Sequence, residues 1–69
     1  MKSKFTIIFY DIRHDKVCQG HSEGRTWAEA GHTLLENIAK KDRKDRGSTT
    51  TVGDFDVLFA YPGHITSLI

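Results

Sequence analysis

The chain has 69 residues, a formal net charge of +1 and a hydrophobic fraction of 38%, which puts it near the lower size limit for one self-supporting core. Its single cysteine, Cys18, excludes an internal disulfide and every zinc site built on cysteine pairs, and it fits a reducing, cytoplasmic setting. No run approaches the ~20 apolar residues of a membrane helix, and MKSKFTIIFYD turns charged too early for an export signal. With so little net charge, nucleic-acid binding would need local clustering.

Residues 4–12, KFTIIFYDI, are rich in β-branched and aromatic types and read as a first strand, with Phe5, Ile7 and Phe9 on one face and Thr6, Ile8, Tyr10 and Ile12 on the other. The polar cluster Arg13-His14-Asp15-Lys16 breaks that pattern, and KVCQGHS follows as a weaker strand, so a hairpin is the most economical connection. Ser22 to Arg25 then forms a loop. Thr26 to Lys41 is the strongest periodic segment: Thr26 is a good N-cap and Glu29 completes a capping-box spacing. Trp27, Ala30, Gly31, Leu34, Leu35 and Ile38 fall on one side of that helix, with Trp27 as its expected anchor. Gly31 costs about 1 kcal/mol relative to alanine inside a helix, so close approach to a sheet is expected there. Gly47 is positioned as a stop.

Thr51 to Tyr61 reads as a third strand paired with the first, with Phe55, Val57, Phe59 and Tyr61 on one face and Asp54, Asp56, Leu58 and Ala60 on the other. Pro62-Gly63 ends it, leaving the tail HITSLI. Residues 1–69 are thus expected to form one α+β domain of order ββαβ, a mostly antiparallel three-stranded sheet with one helix on one face. The opposite face carries Ile8, Tyr10, Ile12 and Leu58. It would be either an interaction surface or a face covered by ITSLI folding back.

Candidate residues for chemistry are few. His14, His21, His32 and His64 show no metal-ligand spacing, and His32 with Glu36 reads as a solvated pair on the polar helix face. Cys18 with His14 or His21 is the one nucleophile–base combination, but Cys18 and His21 in an extended strand point to opposite faces. Asp54 and Asp56 read as a shared outer face that blunts the strand edge or meets a basic partner. No phosphate-binding glycine loop is present. The expectation is therefore a non-enzymatic chain with no cofactor and no metal. The run Lys40, Lys41, Arg43, Lys44 and Arg46 is the best nucleic-acid signal, although Asp42 and Asp45 dilute it and cations suit a helix C-terminus in any case.

Two resemblances add to this reading. Gly24-Arg25-Thr26-Trp27-Ala28-Glu29-Ala30 is similar to the G-x-T-x-x-E-A approach to the helix in HicB-like antitoxin domains, which cover RNA-cleaving toxins or bind DNA through a further module; this chain departs in lacking a third strand before the helix. In size and layout alone it resembles phage-encoded inhibitors of host machinery, such as anti-CRISPR proteins and inhibitors of host RNA polymerase. That second resemblance implies a module that occludes a protein or nucleoprotein target, with Ile8, Tyr10, Asp56 and Leu58 on the sheet and Lys41, Arg43, Lys44 and Arg46 after the helix as contact residues. A homodimer through the open sheet face is a further expectation. The alternative is a nucleic-acid-binding or toxin-neutralising regulator that uses the basic run.

Overall fold

The computed structural model describes residues 2–66. Strands β1 (Ser3–Asp11) and β2 (Lys16–Gly24) form a hairpin, helix α1 (Trp27–Arg46) follows, and a 3₁₀ turn (Val52–Asp54) leads into strand β3 (Phe55–Pro62). The sheet order is β2-β1-β3 with both pairings antiparallel, so the expected ββαβ architecture is what the chain adopts. Strand β2 is longer than expected, running through Ser22, Glu23 and Gly24 to pair with Ser3, Lys4 and Phe5. Strand β3 is shorter: Asp54 belongs to the preceding turn, where its carboxylate accepts from Thr51 N–H at 2.9 Å.

The helix begins where the cap demands. Thr26 is extended and its Oγ1 accepts from Glu29 N–H at 3.1 Å, which satisfies one of the unpaired donors of the first turn. The helix runs five residues past the periodic segment and ends at Gly47, whose left-handed φ of 64° lets its N–H donate to Arg43 O. Its buried face is Ala30, Gly31, Leu35 and Ala39, with Leu34 and Ile38 half-buried. These pack on Phe5, Ile7, Phe9, Cys18, Phe55, Val57 and Ala60. Small residues let the layers approach: a Cβ on Gly31 would stand 3.2 Å from Val57 Cγ2, and one on Gly20 would stand 2.7 Å from Leu34 Cδ2.

Two expected placements fail, each for a physical reason. Trp27 does not anchor the helix and is 58% exposed. It is the first helical residue, and the helix packs chiefly over β2, so its ring lies outside the core beside the far strand β3. The strict alternation of β3 also breaks. Ile8 pairs with Phe59 but Phe9 pairs with Val57, so Leu58 is an extra residue. A bulge of one residue transfers every later side chain to the opposite face. Ala60 consequently packs on the helix side, and Phe59 and Tyr61 stand on the other face.

Candidate interaction surface

The sheet face opposite the helix is partly closed by the chain itself. After Pro62 the segment 63–66 turns across β1 towards β2: Thr6 Oγ1 donates to Gly63 O at 2.8 Å and accepts from Ile65 N–H at 2.7 Å. Ile65 O in turn accepts from Gln19 Nε2 and His21 Nε2. His64 donates to Ser22 O, and its ring stacks on His21 with centroids 4.5 Å apart. Thr6 is fully buried beneath this crossing, with every polar atom of its side chain used. The part of the expected covering segment ITSLI that is described, Ile65–Thr66, does fold back, while Ser67, Leu68 and Ile69 lie outside the described residues.

Among the described residues the exposed large apolar side chains fall in two places, Ile12 and Val17 beside the β1–β2 turn and a larger group around β3, which is an edge strand. Phe59 is 62% exposed, Leu58 45% and Tyr61 39%; Phe59 and Tyr61 have ring centroids 6.3 Å apart. Trp27 stands across the edge on the helix side, and Trp27, Val57, Leu58, Phe59 and Ala60 line one shallow groove of about 280 Å³. Large apolar side chains thus flank a single strand edge on both of its sides. Residues 55–62 carry no lysine or arginine and one charge, Asp56, so the edge lacks the cationic side chains that usually guard such strands.

The contact residues expected from sequence separate accordingly. Ile8 is not available: it is 6% exposed, between Gln19 of β2 and Phe59 of β3, on the face that the tail crosses. Tyr10 is half-buried, and its hydroxyl donates to Asp15 Oδ1; that bond, with burial and the charges of Asp15 and Asp11, raises its pKa above the usual phenol value. Asp56 is exposed opposite Tyr10, and Leu58 is exposed at the bulge. Sequence reasoning missed Phe59, Tyr61 and Trp27 as surface residues. In the run VLFAY every position is apolar, so no alternation marks where the bulge falls.

The basic run is partly engaged in holding the fold. Arg43 Nη1 donates to Thr50 O at 2.7 Å, and Arg46 pairs with Asp42 at 3.6 Å. Asp42 is the hub of this end of the molecule. Its Oδ2 accepts from Ser48 at 2.6 Å, from Thr50 Oγ1 and from Arg13 Nη1 at 3.1 Å, which ties the helix end to the β1–β2 turn. Those three bonds, in that order, hold its carboxyl well below the usual carboxylate range against the opposing effect of burial. Lys40, Lys41 and Lys44 make no ion pair among the described residues.

Beside this hub lies a cleft of about 400 Å³ lined by Phe9, Asp11, His14, Cys18, Lys41 and Asp45, among others. Its polar groups serve the turn. Asp11 Oδ1 accepts from the N–H groups of Arg13 and His14, and Oδ2 accepts from His14 Nδ1–H at 2.7 Å. Burial raises the Asp11 pKa, but these His14 bonds and the charges of His14 and Arg13 outweigh it and leave the carboxyl lowered. Cys18 packs against the core on the helix side, whereas His21 stacks on His64 across the sheet, so that pairing is ruled out by the face each occupies. His32 and Glu36 form an exposed pair at 3.0 Å. Among the described residues no group of three His, Cys, Asp or Glu is placed to hold a metal ion, and no helix is long and apolar enough to cross a membrane.

Comparison of the chain with protein-family models, with curated proteins and with solved structures finds no match.

Proposed function

We propose that the chain is a non-enzymatic protein-binding module acting in the cytoplasm, which occludes a protein or nucleoprotein target in the manner of small phage-encoded inhibitors of host machinery. The observation that supports it is the cluster Trp27, Leu58, Phe59 and Tyr61 around one unpaired strand edge. Fully burying a large apolar side chain supplies roughly 1.5–3 kcal/mol, and these, each about half in water, forgo on the order of half of that, so a partner that covers the edge gains what folding does not. The cleft at the other end offers less, because its Asp11–His14 and Asp42 networks are already satisfied within the fold. The regulator reading draws on Lys40, Lys41 and Lys44, which have no ion-pair partner among the described residues.

The test is capture by the immobilised full chain from bacterial lysate, compared with its Phe59→Glu variant and repeated at high salt. A defined protein retained by the wild type at high salt and lost in the variant is the expected result. Equal capture by both would remove β3 from consideration, and capture abolished by salt alone would favour the basic run, since phosphate contacts weaken steeply with salt.

A further inference from the structure

We propose that β3 pairs antiparallel with β3 of a second copy of the chain, about a two-fold axis through Ala60, to give one continuous six-stranded sheet; this rests on reading the β3 edge as an interaction surface. The backbone sets the phase. Gly63 N–H donates to Lys4 O at 2.7 Å, and opposed residues of an antiparallel pair alternate between exchanging hydrogen bonds and not. Counting back along the register Pro62–Phe5, Tyr61–Thr6, Ala60–Ile7 and Phe59–Ile8, the bonds to β1 fall to Tyr61 and Phe59. Ala60 therefore turns both its N–H and its C=O to the free edge. Pro62 also turns that way and has no N–H to leave unpaired.

The side chains agree with that phase. About Ala60, Phe59 of each copy stands opposite Tyr61 of the other, on the face where both rings already project. Four aromatic rings then form one cluster, and cross-strand aromatic pairs are among the most favourable in sheets. A register one residue away would oppose Phe59 to Ala60, which lie on different faces, and a continuous sheet does not permit it. Leu58 meets Pro62. Asp56, the one charge of the strand, falls beyond the end of the partner's β3 at Pro62 and so does not meet a second carboxylate. On the helix side the two small Ala60 side chains at the axis leave space beside the two exposed Trp27 rings.

Area and charge favour a second copy over a foreign chain. With exposures of 58, 62 and 39%, Trp27, Phe59 and Tyr61 leave roughly 250–400 Å² of ring surface per copy at about 150–250 Å² for each aromatic. Doubled by symmetry, and with Leu58, Pro62 and both strand edges added, this comes to the order of the ~1,200 Å² at which stable interfaces begin. A net charge of +1 sets up little repulsion between copies, and an edge with one charge offers an acidic or basic partner little to pair with. An isologous contact uses the same patch twice and needs no second complementary surface.

The experiment is sedimentation of the full chain over a range of concentrations, with Ala60→Pro and Phe59→Lys run beside it. The wild type should dimerise, and both variants should sediment as monomers with unchanged circular dichroism, their dissociation constants raised at least tenfold. Phe59→Lys is the safer of the two because that side chain is already largely in water. The register has its own readout: in a Cys18→Ser background, Ala60→Cys should form a disulfide-linked dimer under mild oxidation, since directly opposed residues about 5.5 Å apart suit that bond, and Val17→Cys should not. A wild type that stays monomeric, a dimer that Phe59→Lys leaves intact, or cross-linking no better at Ala60 than at Val17 would overturn the proposal. A monomer that still captures a foreign protein through Phe59 would overturn the second copy alone; a monomer with no capture dependent on Phe59 would take the reading of the edge with it.

Discussion

Phe59 stands opposite Ile8 across the β1–β3 pair, yet the next residue of β1, Phe9, meets Val57, and Leu58 is left as the extra residue between them. That one offset decides which side chains face the helix and which face a partner. Without it Phe59 and Tyr61 would fill the core and Ala60 would lie outside. With it, Ala60 is what the helix receives from β3 beyond the bulge, next to Val57 before it, and Gly31 is what the helix offers against Val57.

Trp27 should therefore matter little to stability. Trp27→Ala is expected to cost under about 1 kcal/mol in denaturant unfolding, because surface substitutions rarely cost more. Leu35→Ala, at a position 3% exposed, should cost about 2–5 kcal/mol. The reverse order would restore Trp27 as the anchor of the helix.

Among the glycines, Gly24 is the one where a side chain would press hardest on backbone atoms. A Cβ there would stand 2.6 Å from Ala30 N and 3.1 Å from Thr26 O, both backbone atoms of the helix start that cannot swing aside. Gly24→Ala should lower stability by about 1–3 kcal/mol. Gly20→Ala should cost less, since the atom it meets is the tip of Leu34, a flexible side chain. Equal melting temperatures for the two variants would contradict this contrast.

Acid should loosen the end of the molecule that holds Asp11 and Asp42. Both carboxyls are lowered from their ordinary value in the fold, so the stability they contribute is complete above the unfolded-state pKa of about 3.9 and is lost as pH falls below it towards the folded values. Asp42→Asn should be less stable near neutral pH and should show a shallower loss of stability between about pH 4 and pH 2 than the wild type. Parallel pH profiles for the two proteins would show that the hub carries no linkage.

Arg43 is a poor probe of nucleic-acid contact, because it holds Thr50 O. Lys41→Glu with Lys44→Glu tests the basic run without disturbing that bond, and it should leave target capture within about threefold of the wild type if the exposed lysines only solvate the helix end, since such contacts are worth ~0–1 kcal/mol. A loss of an order of magnitude that shrinks as salt rises would instead assign the run to a phosphate or acidic surface.

Much of the architecture was legible in the residues. The cap at Thr26, the stop at Gly47 and the close approach at Gly31 follow from the chemistry of those side chains, and the strands follow from runs of β-branched and aromatic types. The surface was less so. A bulge depends on how two strands settle against each other, and VLFAY, apolar at every position, gives no phase from which to read it. Trp27 has the right period for the core, but its place at the first turn, beyond the ground the helix covers, is set by the crossing of helix and sheet. The covering of Ile8 depends on the tail being held by Thr6, Gln19 and His21, contacts more than forty residues apart in sequence.

The central claim is that Leu58 and Phe59 serve association and not folding, and Leu58→Glu with Phe59→Glu tests it when stability and target capture are recorded on the same preparation. Both positions are solvated in the free chain, so the double variant should unfold within about 1 kcal/mol of the wild type while losing association, because the new charges would have to be desolvated against a partner. A variant destabilised by about 3 kcal/mol or more that still associates when folded would place these side chains in the core and contradict the account.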